Sequence, residues 1–87
     1  MEQFEYTIKD KIGLHARPAG ILVKEASRFK CSISVSNMES GNSADAKKLF
    51  ALMNLMIKHG CKISVTCNGD DEVMAVSAMK KCIEENL

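Results

Sequence analysis

Phe4, Tyr6 and Ile8 alternate with polar neighbours, a spacing that predicts a half-buried strand at the start of the chain. Lys11-Ile12-Gly13 interrupts it. From Ala16 to Phe29 the apolar residues Ala19, Leu22, Val23 and Ala26 fall at helical spacing and predict one buried helix face. Ile33 and Val35 alternate with serines in Ser32-Ile33-Ser34-Val35-Ser36, a second strand. Asn37 to Asn42 is rich in turn residues and predicts a hairpin, with a short third strand near Asn42 to Asp45. Lys47 to Lys58 is built from helix formers, with Leu52, Leu55 and Met56 as expected core positions. His59-Gly60 closes that helix, with Gly60 as its left-handed cap. Ile63, Val65 and Cys67 alternate in a fourth strand, and Asn68-Gly69-Asp70 forms a turn. Asp70, Asp71 and Glu72 place acid where a last helix begins, the end that its dipole makes positive. Val73, Val76, Met79 and Ile83 are its expected apolar stripe.

The predicted order is β-α-β-β-α-β-α. Short loops and alternating strands favour an α+β open-faced sandwich, a four-stranded antiparallel sheet with three helices on one face. Eighty-seven residues fit one domain, 1–87, with no linker, repeat or low-complexity stretch. A chain this short buries one modest core and has little room for a deep substrate cavity. Chemistry is therefore expected at the surface, completed by a partner.

Composition narrows the partners. The formal net charge is +1 and the twelve Lys and Arg residues are scattered, which argues against nucleic acid and against an anionic membrane. No stretch approaches the roughly 18 to 20 apolar residues that span a bilayer. The start, Met1-Glu2-Gln3-Phe4-Glu5, lacks the apolar segment of a signal peptide, so the protein is expected in the cytoplasm. The four cysteines, Cys31, Cys61, Cys67 and Cys82, form no CxxC and match no common zinc spacing; reduced core thiols are expected. No carboxylate cluster offers a metal site, and no cofactor is called for.

The informative stretch is Gly13-Leu14-His15-Ala16-Arg17-Pro18-Ala19, between the first strand and the first helix. His15 falls at the expected helix N-cap. Pro18 lies in the first turn, where a missing N–H is harmless. The free backbone N–H groups of Ala16 and Arg17 and the helix dipole attract anions. The guanidinium of Arg17 can grip phosphate oxygens in a fork. A neutral imidazole beside them is a nucleophile in reach of a phosphoryl group. Against this stands the plainer alternative of a surface histidine that merely starts a helix. His59, the other histidine, reads as a favourable charge at a helix C-terminus rather than a phosphate carrier. Met53 and Met56 read as packing residues.

The same segment resembles the active-site signature of HPr, the histidine-containing phosphocarrier family of the bacterial phosphoenolpyruvate-dependent sugar phosphotransferase system. The resemblance extends over essentially the whole chain, including Leu49-Phe50 at the start of the second helix. It implies that enzyme I donates a phosphoryl group to Nδ1 of His15, with Arg17 and the N–H groups of Ala16 and Arg17 holding the phosphate. It implies transfer onward to an enzyme IIA. Both partners would dock on Ala16, Arg17, Gly20, Lys24, Leu49, Phe50 and Met53. Such a protein carries phosphate rather than catalysing on its own, needs no metal or cofactor, and is expected to be a monomer. Transcriptional or metabolic regulators are further candidate partners.

The departures from the family pattern are informative. Lys48 stands where many relatives carry a serine that a dedicated kinase modifies. The hairpin from Asn37 to Asn42 runs longer than in the common sugar-system members, as it does in the nitrogen-related regulatory branch. Gly20 lies inside the first helix, where a larger residue is more usual. Asp45 or Ser43 is the expected substitute cap for the second helix. A regulatory carrier of the nitrogen branch and a non-catalytic binding module therefore remain alternatives.

Overall fold

A computed structural model describes residues 1–87. Its elements run β1 (Glu2–Thr7), α1 (Ala16–Ala26), β2 (Ser32–Asn37), β3 (Ser43–Asp45), α2 (Leu49–Met53), β4 (Lys62–Asn68) and α3 (Glu72–Asn86). The strands form one antiparallel sheet in the order β1-β4-β2-β3. The predicted α+β order is therefore present in full.

Register follows from the alternating pattern. Phe4, Val65 and Val35 lie opposite one another across three strands, as do Tyr6 and Ile63. All face the helices, because a two-residue period puts every second side chain on the same side of a sheet. Ile33, Val35, Ile63, Val65 and Cys67 are buried there. From the helices come Ala19, Leu22 and Ala26 of α1 and Ala75, Met79, Cys82 and Ile83 of α3. Fully burying a large aliphatic side chain such as Leu22 contributes about 1.5–3 kcal/mol. The opposite sheet face stays open and polar. It carries Ser32, Ser34, Ser36, Ser64 and Thr66.

Several local expectations change. α1 ends at Ala26 rather than Phe29. α2 is a short helix of five residues rather than a run to Lys58. Asn54 is its C-cap, and Met56 then adopts a left-handed backbone, φ 55°. That reversal lets Leu55 and Ile57 both enter the core and leaves Met56 exposed. A continuous helix would have faced Ile57 outward. His59 consequently sits at no helix end. Its Nδ1–H donates to the Asp10 carbonyl at 3.2 Å. Val73 is exposed as well, and Ala75 and Cys82 take up the buried stripe of α3.

The acids before α3 do more than match a dipole. Asp71 is the N-cap, yet its carboxylate accepts the N–H groups of Lys30 (2.8 Å) and Cys31 (3.0 Å) and so ties α3 to the α1–β2 connection. Glu72 accepts the N–H of Gly69 at 3.0 Å and pairs with the N-terminal ammonium. All four cysteines are buried free thiols. Burial, aided by Asp71, pushes the Cys31 thiol up to about 11, so it is unreactive near neutrality.

Candidate phosphoryl-transfer site

The connection from β1 to α1 is fixed by backbone bonds. Ile8 is buried and bonds to the residues just ahead of β4: its N–H donates to the Cys61 carbonyl, and its carbonyl accepts the Gly60 N–H. The N–H groups of Lys9 and Asp10 both donate to the Leu87 carbonyl at 2.6 Å. The Asp10 carboxylate turns back and accepts the N–H groups of Ile12 and Gly13, each at 3.0 Å. These bonds, that from Gly13 foremost, hold the Asp10 carboxyl below its ordinary value. Leu14 is buried and donates to the Ile57 carbonyl at 2.9 Å.

His15 comes next, half-buried at the N-cap of α1 with extended backbone angles (φ −101°, ψ −172°). Its carbonyl accepts the Ala19 N–H at 3.0 Å, the first bond of the helix. Its imidazole makes no capping hydrogen bond. Neither the Ala16 nor the Arg17 N–H has a partner within the chain, as the geometry of a helix start requires. Arg17 is exposed and belongs to none of the chain's ion pairs. His15, Arg17, Pro18 and Ile21 line a shallow depression of about 220 Å³ together with Asp10, Glu85 and Asn86. A helix start, an unengaged guanidinium and an imidazole without a capping role thus meet at one open surface. It is an open surface rather than an enclosed pocket; the helix start and guanidinium can attract an anion there, opposed by the carboxylates of Asp10 and Glu85 on the same depression.

The second group of expected residues lies next to it. α1 packs against α2. Ala16, Arg17 and Lys24 are exposed and Gly20 is half-buried. Leu49 and Met53 are half-buried against the core, while Phe50 is 77% exposed. A large aromatic left this exposed can serve as the apolar centre of a transient interface. Lys48 is the N-cap of α2 and provides no side-chain cap. Asp45 caps only the preceding turn, accepting the Lys47 N–H at 2.9 Å, and the Ser43 hydroxyl pairs with Ser36. Residue patterns missed Asp10, Glu85 and Asn86. Asp10 was detectable as a turn-forming acid just ahead of Ile12-Gly13. Glu85 and Asn86 reach the depression only through the packing of α3.

Beyond its chain neighbours and the backbone of its own helix, no atom lies within 4 Å of the place a Cβ on Gly20 would occupy. Gly20→Ala is therefore expected to raise stability by about 0.5–1 kcal/mol, seen as a higher urea midpoint at unchanged slope.

Acid should act in the opposite direction. Asp10, Asp71 and Glu72 are all held below their ordinary values, chiefly by backbone N–H donors. The unfolded chain then binds protons more readily than the folded one. Their contribution is complete above the ordinary carboxylate range and is lost as pH falls through the lowered values. The urea midpoint is expected to hold steady from pH 7 to about 5 and to fall below about pH 4. Asp10→Asn should flatten that fall.

An open-faced sandwich with a histidine at the exposed start of its first helix defines a class of small surface-acting α+β proteins. Residues 2–85 match the family described as "PTS HPr component phosphorylation site". The phosphocarrier protein HPr of Mycoplasma genitalium is 42% identical over 86 residues, covering 99% of this chain and 97% of that protein. A solved Mycoplasma histidine-containing phosphocarrier protein superposes with TM-score 0.91 at 36% identity, covering 97% and 93% of the two chains. HPr from Thermoanaerobacter tengcongensis gives TM-score 0.91 at 35% identity, covering 99% and 94%. The chain belongs to the HPr family, the phosphocarriers of the phosphotransferase system.

Proposed function

We propose that His15 accepts a phosphoryl group from phosphorylated enzyme I and passes it to an enzyme IIA in sugar uptake. The carrying observation is the helix start, where an imidazole without a capping role stands beside two unpartnered N–H groups and the unpaired Arg17. In the transfer, the Nδ1 lone pair of His15 attacks phosphorus in line with the donor's leaving atom. The P–N bond forms as the donor's bond to phosphorus breaks, and the other ring nitrogen keeps its proton. The N–H groups of Ala16 and Arg17 and the Arg17 guanidinium stabilise the phosphoryl oxygens. Positioning and charge stabilisation are most of what phosphoryl transfer requires. The second transfer runs the same steps with His15 as donor. The chain is thus a carrier rather than a catalyst, works in the cytoplasm without cofactor or metal, and acts as one domain, 1–87, and as a monomer.

Both partners dock on Ala16, Arg17, Gly20, Lys24, Leu49, Phe50 and Met53, with Phe50 as the apolar anchor. Lys48 has no hydroxyl, so the serine phosphorylation that regulates many relatives at this position has no acceptor here, and the local charge is reversed. Lys48 and the long hairpin from Asn37 to Asn42 favour one second reading, a regulatory carrier of the nitrogen-related branch. Charging the protein with phosphoenolpyruvate and enzyme I from each branch separates the readings. Efficient labelling by the sugar-branch enzyme is expected. Labelling by the nitrogen-branch enzyme alone would sink the sugar reading. Labelling by neither would leave a binding module.

A further inference from the structure

Every residue with a left-handed backbone in this chain is glycine except Met56, at φ 55°. L side chains rarely adopt that conformation, least of all long apolar ones. The backbone around Met56 leaves it no choice. Before it, the Leu55 carbonyl accepts the side-chain N–H of Asn37 at 2.9 Å. Asn37 is the chain's one buried polar side chain, 5% exposed. Its carbonyl oxygen accepts the N–H groups of Glu39 (2.9 Å) and Ser40 (3.3 Å) and the Cys61 thiol (3.2 Å), so it is locked in place. After Met56, the Ile57 carbonyl accepts the Leu14 N–H. Leu55 and Ile57 are both buried. The conformation is over-determined from both sides, the condition under which strained backbone persists.

Glycine would fill this position without strain, yet the chain carries methionine. Nothing inside the protein accounts for the side chain, which is 67% exposed. Its location does. The Met56 N–H bonds to the Met53 carbonyl at the end of α2, and the next residue is bonded to Leu14, the neighbour of His15. Met56 therefore sits in the connection that runs from the end of α2, which carries the exposed Phe50, to the residue bonded to the His15 loop, and Ile12 of that loop is exposed too. A protein that rests on Phe50 while presenting a phosphoryl group to His15 spans the two elements that this connection joins.

We propose that Met56 is a specificity-determining contact for the phosphoryl-donating protein, extending the apolar centre of the docking surface from α2 to the edge of the His15 loop. This rests on the carrier reading above. Methionine suits the role, because its flexible, polarisable side chain conforms to an irregular apolar pocket. A residue kept for folding would lose stability when removed; this one should lose binding instead.

The test compares Met56→Gly, Met56→Ala and Met56→Leu in the charging reaction with phosphorylated enzyme I. Met56→Gly is expected to raise Tm by a few degrees, because the strain is relieved. It should also raise KM about fivefold, with kcat unchanged within about twofold. Met56→Ala should raise KM equally without the gain in Tm. Met56→Leu, which keeps apolar bulk, should retain KM within about twofold. Unchanged KM in the glycine and alanine variants would overturn the proposal. So would a rise confined to glycine, since backbone freedom would then be the cause. If the unaltered protein takes no phosphoryl group at all, the carrier reading falls, and this inference with it.

Discussion

Replacing His15 by alanine is expected to abolish phosphoryl uptake while leaving the fold intact. The imidazole is the only nitrogen nucleophile lining the depression at the start of α1. Arg17 and the free N–H groups beside it can hold a phosphoryl group but cannot bond to it covalently. Loss should therefore reach the detection limit, at least about a thousandfold. The fold should survive because the His15 ring caps nothing. The bond that opens the helix runs from the Ala19 N–H to the His15 carbonyl, which alanine also supplies. A stability change within about 0.5 kcal/mol is expected, as for a substitution outside the core at a cap position whose side chain makes no capping bond. Circular dichroism and a urea titration check the fold, and radiolabel uptake checks the chemistry. Retained uptake would refute the site.

Gly13→Ala is expected to damage the scaffold that presents His15. Gly13 has φ +94°, and a Cβ there would lie 2.5 Å from the Ile57 carbonyl oxygen and 2.7 Å from the Lys58 Cα. Both are backbone atoms, so no side chain can swing away. Ile57 is buried and its carbonyl already accepts from Leu14. Relief requires separating the two loops, which breaks that bond and shifts the chain just before His15. The combined strain and overpacking should destabilise by about 2–4 kcal/mol. A urea midpoint close to that of the parent protein would show instead that the loops part freely. Charging at a temperature where the variant remains folded should also be slower, since transfer depends on placement.

The strands were legible because alternation is a two-residue signal that a half-buried sheet imposes directly. Phe4, Tyr6, Ile33, Val35, Ile63 and Val65 all face the side their spacing predicts. α2 departs from its pattern for the opposite reason. Leu52, Leu55 and Met56 have helical spacing, but the core needs Leu55 and Ile57 together, and tertiary packing overrides local preference. The Asn37 side chain that holds this turn lies eighteen residues from Leu55, beyond any local pattern. With α2 ending at Met53, His59 is left at no helix end.

The candidate site was legible to the extent that it is local. His15, Ala16, Arg17 and Pro18 are neighbours in sequence, and a helix start converts that adjacency into an anion site. Phe50 and Lys24 entered only through family resemblance, since nothing in the pattern marks an exposed phenylalanine as different from a buried one. Asp10, Glu85 and Asn86 come from both ends of the chain, which only the completed fold brings together.

Locating the phosphoryl group by mass spectrometry, after charging with enzyme I and phosphoenolpyruvate under conditions that preserve acid-labile bonds, tests the central claim most directly. One phosphoryl group on His15 is the expected result; none, or one on His59 or on a serine instead, would contradict it.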